Sequence, residues 1–322
     1  MRARPVPADC VCNHVRMAIQ VTHFTDPGCP WAYSASPALA ALAWRYGDQL
    51  DWRLATIGLT EHAEQYLRRG YSPGRAARGY MTFRRRWGMP FATEPRGRVT
   101  ATSRACRAIV ATRLRYPDRE YAVFRALQFG WMTTPLVMDE EEDILRAIEG
   151  VPGIDAREIV ALLDDPDVDA AYEIDRADAR TAEGSPTHFQ GKAAQTDGLV
   201  RYTAPSLVFT TEDGRRLEAG GFQPIEAYDV IVANLDPTLD RRPAPEDPLE
   251  AIEAFPDGLV TAEVAAIMTS GNDAPDFEAA ETALIDHVAE GRVRRTTLGN
   301  SALWQPASAP VMAVPHAATA AA

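Results

Sequence analysis

The chain has 322 residues, of which 46% are apolar, and it carries a formal net charge of −12. This length and apolar fraction suffice for one sizeable core and a second small one, and no apolar run approaches the roughly 18 residues that a membrane-spanning helix needs. The negative charge disfavours nucleic acid or an anionic membrane as a partner, because both attract clustered lysine and arginine. We therefore expect a globular protein that binds neither.

The N-terminal segment contains arginines but lacks the apolar stretch and small-residue cleavage site of a secretory signal, so we expect a disordered leader over residues 1–17 and a cytoplasmic protein. Four cysteines are too few for a disulfide framework, and a reducing compartment keeps them as thiols. Cys10, Cys12 and His14 form a C-x-C-x-H cluster. Structural zinc sites favour wider cysteine spacing and a fourth ligand, so we assign no metal site.

The first elements alternate between strand and helix. Residues 18–24 have strand character, and residues 30–46 have the apolar and small-residue density of a helix that Gly47 can end. Residues 50–56 alternate apolar and charged side chains, as a strand does. From about residue 61 to residue 192 the pattern is helical, with proline or glycine breaks between alanine-rich segments. We expect an all-helical insertion over residues 61–192.

A second α/β segment follows the insertion. Residues 206–210 and 215–220 flank Asp213-Gly214, a dipeptide suited to a tight hairpin turn, and a helical pattern covers residues 225–235. The α/β opening and this strand, strand, helix close predict one sheet that distant segments complete around the insertion.

These elements place the domain boundaries. The α/β domain spans residues 18–236, a proline-rich linker covers 237–250, and a small unit covers 251–306. Helical patterns in the small unit precede two strands around Gly299-Asn300, an order that resembles a winged helix, and its acidic balance disfavours DNA contact. Residues 307–322 are rich in alanine and proline with little to bury, so we expect a disordered tail.

The sequence TDPGCPWAY lies at the junction between the first strand and the first helix. If Pro30 takes the first helical position, Cys29 is the N-cap residue and its sulfur faces the free N–H groups of Trp31 and Ala32. These groups and the helix dipole stabilise a thiolate, so we expect the pKa of Cys29 to lie below the free-cysteine value of roughly 8.5. The alternative is a small, buried cysteine without chemistry.

With CPW at the helix start, a helical insertion and a ββα close, the chain resembles the DsbA family of thioredoxin-fold proteins over about residues 18–236. Within that family it resembles the FrnE-like proteins, the 2-hydroxychromene-2-carboxylate isomerases and the kappa-class glutathione transferases. In that family a cis proline precedes the third sheet strand and lies against the active-site sulfur. The resemblance implies this role for Pro205, which follows Ala204. It implies that the active-site motif consists of Cys29 as nucleophile followed by Pro30, Trp31, Ala32 and Tyr33, with Trp31 and Tyr33 lining the entrance.

The chain departs from the dithiol members of this family at Ala32, which occupies the position of their resolving cysteine. In a dithiol enzyme the second thiolate attacks the mixed disulfide and releases the partner, and alanine cannot do so. We predict a monothiol oxidoreductase that acts on small-molecule thiols or disulfides, or on protein thiols. It would hold no permanently bound cofactor, and an external thiol such as glutathione or mycothiol would resolve its intermediate. An isomerase or transferase with a bound thiol cofactor and a non-catalytic binding protein remain alternatives.

Cys106 offers an internal resolving thiol, because it lies in a helical segment at the start of the insertion. Its spacing with Ile109 and Val110 favours instead a place in the core. None of the six histidines has metal or triad spacing, and we expect core or surface positions for His23 and His188.

An aromatic and basic segment over residues 66–91 is unusual in an acidic chain. It suggests a substrate wall in which Tyr80, Phe83 and Trp87 provide apolar contacts and Arg84 binds an anionic substrate or the carboxylates of a thiol cofactor. The alternative is a solvated helix face with core aromatics on its other side.

Overall fold

The structure, a computed structural model, describes residues 18–271 and 273–315. The predicted leader and its cluster of cysteines and a histidine lie outside the described residues. Within the described residues no helix is long and apolar enough to cross a membrane. The same part of the chain contains no group of three or more histidine, cysteine, aspartate or glutamate side chains that could hold a metal ion.

The strands and helices follow the predicted order. The strands are β1 Ile19–Thr25, β2 Leu50–Thr56, β3 Ala193–Ala194, β4 Arg201–Tyr202, β5 Ser206–Thr210, β6 Arg216–Ala219, β7 Leu259–Val260, β8 Val293–Leu298 and β9 Ser301–Pro306. The helices are α1 Pro30–Ser34, α2 Ser36–Tyr46, α3 Ala63–Arg68, α4 Pro73–Trp87, α5 Ser103–Arg115, α6 Glu120–Thr133, α7 Glu141–Ile148, α8 Ala156–Ala161, α9 Pro166–Ala179, α10 Pro186–Phe189, α11 Ile225–Leu235, α12 Pro248–Ala254, α13 Thr261–Met268 and α14 Phe277–Ala289.

A four-stranded mixed sheet in the order β2-β1-β5-β6 forms the centre of the first domain. Strand β1 pairs in parallel with β2 and antiparallel with β5, which in turn pairs antiparallel with β6. Val21 and Phe209 pack against α2 and α11 on one face of the sheet, whereas Phe24 and Val208 belong to a cluster that includes Cys29. Because successive side chains of a strand point to opposite faces, these two clusters lie on opposite faces of the sheet. The junction between β1 and α1 lies beside the cluster that contains Cys29.

Helices α3 to α10 form the insertion between β2 and β3. Helices α5 and α6 lie at its core, where their apolar faces are buried. Helix α4 begins at Ser72, whose hydroxyl accepts a hydrogen bond from the Arg75 N–H at 3.3 Å, and ends at Gly88, whose φ of +71° is the left-handed conformation of a helix C-cap. The predicted all-helical insertion is therefore confirmed.

The C-terminal unit has the order helix, strand, helix, helix, strand, strand, with a three-stranded sheet in the order β7-β9-β8. This is the order of a winged helix. Trp304 on β9 is fully buried at its centre, and its indole N–H donates to the Thr261 hydroxyl at 2.9 Å. The predicted fold class, a thioredoxin-like α/β fold with an all-helical insertion and a small winged-helix-like unit, is confirmed.

The C-terminal unit packs against the rest of the chain. Trp44 of α2 shares a core with α13, its indole N–H donates to the Pro243 carbonyl at 2.8 Å, and the Arg242 guanidinium lies 3.3 Å from its ring centroid. Arg125 of the insertion forms a buried, bidentate ion pair with Glu263 of α13. The predicted linker is thus fixed to the first domain, and helix α12 begins within it.

The prediction of a disordered tail is wrong for residues 307–315. Met312 is fully buried and Val314 is 4% exposed, both in the core of the insertion. The Ala313 N–H donates to the Gly150 carbonyl at 3.0 Å. Two apolar side chains in an alanine-rich segment gave too weak a pattern to indicate this packing.

Candidate active site

Cys29 lies at the N-cap of α1, with the extended backbone angles of φ −89° and ψ 114° that this position requires. Pro30 follows at the first helical position, as predicted from the sequence. The Cys29 side chain is only 7% exposed, and its Sγ–H donates to the Ala204 carbonyl oxygen at 3.3 Å. The peptide bond between Ala204 and Pro205 is cis. The start of α1 and the segment before β5 therefore meet at the sulfur, although 175 residues separate them in sequence.

Asp26, a residue that the sequence analysis missed, lies fully buried beside this junction. One carboxylate oxygen accepts the Gly28 N–H at 2.9 Å, and the other accepts the Leu59 N–H and the Thr102 hydroxyl, each at 2.9 Å. The Cys106 Sγ lies 3.6 Å from the same second oxygen. Burial raises the pKa of Asp26 although these donors oppose the shift. The sequence does contain a signal for this residue, since an acidic side chain follows the first strand three positions before the cysteine.

Gly28 allows this packing because it has no side chain. A methyl group on its α-carbon would lie 2.8 Å from Thr102 Cγ2 and 2.9 Å from the Trp131 ring. Both distances are shorter than van der Waals contact, so the strand-helix junction can approach the insertion this closely only with glycine at this position.

The pKa of the Cys29 thiol differs from the prediction. Burial raises this pKa to about 11, the Ala32 N–H opposes the rise, and the negative charge of Asp26 adds to it. The Trp31 N–H and the positive charge of Arg201 also lower the pKa, by less than burial raises it. The helix N-terminus therefore acts as predicted, but the exclusion of water outweighs it. The predicted depression of the Cys29 pKa is wrong for this structure.

Two further residues that the sequence analysis missed surround the sulfur. Arg201 is 5% exposed, donates to the Tyr202 carbonyl at 3.0 Å, and has no carboxylate within 4.0 Å among the described residues. Burial raises the pKa of Tyr66 of α3 well above its ordinary value, and the negative charges of Asp26 and Cys29 add to the rise. No sequence pattern relates these positions to Cys29, because they come from distant segments of the chain.

The thiol content of the site follows from Ala32 and Cys106. Ala32 is 2% exposed on the first turn of α1. Cys106 is fully buried in the insertion core, and burial raises its pKa well above the ordinary value. Both cysteines of the described residues are free thiols.

The sequence of this chain matches the model of the DSBA-like thioredoxin domain over residues 20–204. The chain belongs to this family. The match gives the family and not the branch within it. Comparison with curated proteins found no match.

Several solved structures are similar to the chain. A "putative protein disulfide isomerase" from Nitrosomonas europaea aligns with a TM-score of 0.50 at 16% identity, over 67% of this chain and 97% of that one. The cytosolic disulfide reductase DsbM from Pseudomonas aeruginosa aligns with a TM-score of 0.47 at 18% identity, over 67% and 98%. A probable DsbA oxidoreductase from Streptomyces coelicolor aligns with a TM-score of 0.48 at 20% identity, over 67% and 89%. The first of these similarities supports the DsbA-like fold.

An aromatic surface borders the sulfur in this DsbA-like domain. Trp31 is 44% exposed, and its ring meets Phe83 edge-on at 4.9 Å and Phe222 at 5.8 Å between centroids. Phe222 in turn packs on Trp87 at 4.3 Å. The structure thus brings two of the predicted wall residues, Phe83 and Trp87, to Trp31. Phe222, from the opposite end of the domain sequence, was not predicted.

Two of the other predicted wall and entrance residues, Tyr33 and Tyr80, lie in the core. Tyr33 is 1% exposed and packs edge-on against Phe91 at 5.1 Å, so it belongs to the core and does not line an entrance. Tyr80 is 8% exposed, packs on the same Phe91 at 5.2 Å and accepts a hydrogen bond from Arg96. Both side chains point inward because helical spacing places them on the apolar faces of α1 and α4. Arg84 is half-buried and forms no ion pair among the described residues.

The two histidines considered above occupy different environments. His188 is exposed, and its Nδ1 accepts the Gly184 N–H at 3.1 Å. His23 is 2% exposed on β1.

Proposed function

We propose that the chain is a thiol-disulfide oxidoreductase in which Cys29 is the only nucleophile. An external low-molecular-weight thiol, such as glutathione or mycothiol, resolves the mixed disulfide. The observation that carries this proposal is the placement of the Cys29 sulfur at a helix start, 3.3 Å from the Ala204 carbonyl beside Pro205, with Ala32 in the position of the second thiol. Membership in the DsbA-like family supports the reaction class.

The proposed reaction has two exchanges. The Cys29 thiolate attacks one sulfur of a substrate disulfide, forms a mixed disulfide with it and releases the other half as a thiolate, which takes up the proton that Cys29 lost. A thiolate of the external thiol then attacks the substrate-derived sulfur of the mixed disulfide. Cys29 leaves as a thiolate, and the external thiol ends in a disulfide with that sulfur. One half of the substrate disulfide is released as a reduced thiol, and the external thiol is oxidised to a disulfide with the other half.

The ionisation of Cys29 limits the first exchange. In the described state the sulfur is neutral and donates to the Ala204 carbonyl, because burial raises its pKa to about 11. Arg201 favours the thiolate and the charge of Asp26 opposes it. Since burial also raises the pKa of Asp26, a protonated Asp26 removes this opposition. We propose that Asp26 and Arg201 together set the fraction of reactive sulfur.

The surface beside the sulfur fits a small anionic thiol. Trp31, Phe83 and Phe222 provide an aromatic face, and Arg84 is a cation without an ion-pair partner among the described residues. Aromatic faces bind the apolar parts of a ligand, and a free guanidinium binds a carboxylate. We place this activity in the cytoplasm, where a reducing pool maintains thiols.

The test uses a glutathionylated peptide as the substrate and glutathione as the external thiol. Cys29→Ser should abolish reduction of the peptide, whereas Cys106→Ala should retain the wild-type rate, because the proposed reaction uses one sulfur. Activity that survives in Cys29→Ser, or that is lost in Cys106→Ala while the variant remains folded, would refute the single-cysteine mechanism.

A thiol-cofactor-dependent isomerase or transferase is the second candidate. The raised pKa and the burial of Cys29 favour it, because a neutral thiol donates a hydrogen bond to a bound cofactor sulfur more readily than it attacks a disulfide. Serine preserves such a donor. Conjugation of glutathione to an aromatic electrophile should therefore persist in Cys29→Ser if this candidate is correct. If the oxidoreductase proposal is correct, the wild type should show no such conjugation.

A further inference from the structure

A cavity of about 330 Å³ lies between the first domain, the insertion and the C-terminal unit. His23 of β1 lines it, whereas the next residue, Phe24, packs in the cluster that contains Cys29. Successive side chains of a strand point to opposite faces of the sheet. The cavity is therefore a different site from the candidate active site, and its volume lies within the range of small-ligand pockets.

The wall of the cavity is mainly apolar and carries several aromatic rings. Trp52 of β2 and Tyr121 of α6 lie at it and are 36% and 48% exposed, so the cavity is open to solvent. Phe255 of the C-terminal unit lies on another side, and Ala43 of α2 contributes a small side chain. The C-terminal unit thus completes a pocket that the other two parts of the chain leave unfinished.

Two nitrogens of the wall residues are buried without a hydrogen-bond partner among the described residues, Arg125 Nε and His23 Nε2, and His23 is 2% exposed. Burial lowers the pKa of His23 to about 3, so the ring is neutral near pH 7. Neither nitrogen reaches the surface of the cavity, so the wall offers a ligand mainly apolar contacts.

The charged residues of the wall are all paired. The pairs are Arg53 with Asp178 at 2.6 Å, Glu120 with Arg113 at 2.6 Å, Arg125 with Glu263 at 2.5 Å, and Asp257 with Arg119 at 2.7 Å. A charged ligand would find no free counter-ion there and would lose its hydration, so the wall selects against charge.

We propose that this cavity binds a neutral, planar aromatic molecule of one or two rings. Trp52, Tyr121 and Phe255 provide the ring contacts. The stacking and edge contacts of aromatic rings favour a planar ligand over an aliphatic one of equal size.

Indole is a suitable probe, with indole-3-acetate as its charged counterpart. Ligand titration followed by NMR should show indole binding with a dissociation constant of about 1 mM or tighter, as its size permits, and a shift of the Trp52 indole resonance. Indole-3-acetate should bind about tenfold more weakly, because its carboxylate has no partner. Equal binding of the two probes, or no binding of indole, would overturn the proposal.

Two variants locate the site. Ala43→Phe fills the cavity and should weaken indole binding by about tenfold or more, whereas the same change at the exposed Ala233 of α11 should leave binding unchanged. Indole that binds Ala43→Phe as it binds the wild type lies elsewhere, and the proposal fails.

A further variant tests whether the chain itself fills the pocket. Removal of residues 1–17, which immediately precede β1, should leave the indole affinity unchanged. A gain in affinity would assign the cavity to that segment and overturn the proposal of a small-molecule ligand.

Discussion

The hydroxyl of Thr102, at the N-cap of α5, donates a hydrogen bond to the buried carboxylate of Asp26 at 2.9 Å. This contact joins the helical insertion to the segment that precedes Cys29. Asp26 also holds the Gly28 and Leu59 N–H groups. One carboxyl group therefore positions the loop before Cys29 and contributes to the electric field at its sulfur.

Replacement of Asp26 by asparagine should lower the pKa of Cys29. The negative charge of Asp26 raises that pKa, so its removal favours the thiolate and should move the titration midpoint down by on the order of one pH unit. The measurement is the rate of iodoacetamide alkylation against pH, in a variant whose only cysteine is Cys29. Asp51→Asn, an exposed change on β2, is the matched control and should leave the midpoint in place.

Replacement of Arg201 by methionine should have the opposite effect. Arg201 lowers the pKa of Cys29, so the neutral variant should alkylate more slowly at a given pH and regain its rate only at higher pH. Arg215→Met, an exposed change in the β5–β6 hairpin, is the control. Shifts of the same sign in the Asp26 and Arg201 variants would mean that the charges at these positions do not act directly on the sulfur.

Replacement of Gly28 by alanine should destabilise the domain by about 1–3 kcal/mol, because the new methyl group overlaps Thr102 and Trp131. Gly79→Ala is the matched control. A methyl group on Gly79 meets nothing within 4 Å inside α4, so this change should stabilise the helix by about 0.5–1 kcal/mol. Urea unfolding of both variants measures the difference, and equal midpoints would contradict the packing described for Gly28.

The stability of the fold should fall at alkaline pH partly through Cys29. Its folded pKa of about 11 exceeds the unfolded value of roughly 8.5, so the folded state holds the proton more tightly. The resulting stability is complete below the unfolded pKa and is lost as pH rises through the folded pKa, on the order of 3 kcal/mol in total. The measurement is urea unfolding between about pH 8 and about pH 11, the range that the two pKa values span. The free energy of unfolding should fall more steeply with pH for the wild type than for Cys29→Ala. Parallel curves would mean that water reaches the sulfur.

The mixed disulfide on Cys29 should persist in the purified protein. With Ala32 in the position of the second thiol and Cys106 in the core, no other thiolate of the described residues has access to it, so its decay should be proportional to added glutathione. Mass spectrometry of the adduct over time measures the decay, and Cys106→Ala should leave the rate unchanged. Rapid decay without added thiol, abolished by Cys106→Ala, would instead make the two cysteines a redox pair.

Local patterns predicted the elements that carry the candidate site. Strand β2 has the expected bounds of residues 50–56, and Cys29 is the N-cap residue because Pro30 fixes the first helical turn. The environment of the sulfur could not be predicted in this way. Its burial depends on Ala204 and its field on Arg201, both of which the fold brings from the far side of the insertion. The pKa prediction failed because a sequence shows a helix N-terminus but not the exclusion of water above it.

The aromatic segment shows the same difference between what a local pattern predicts and what the tertiary structure determines. The spacing of four residues places Phe83 and Trp87 on one face of α4. Only the tertiary structure shows that Phe83 contacts Trp31 and that Phe222 contacts both Trp31 and Trp87. Tyr80 is also at helical spacing on α4, and it turns into the core because Phe91 lies against it. Composition predicted an aromatic surface, and the tertiary structure determines which residues form it.

The burial of Met312 and Val314 in the insertion constrains the order of events during synthesis. Helices α5 and α6 leave the ribosome long before these side chains do, yet the core that they form includes both. Domains fold largely as the chain emerges, so the insertion remains with part of its apolar surface open until residue 314 is available. The helical insertion therefore exposes apolar surface to mispairing and to chaperones until translation reaches these residues.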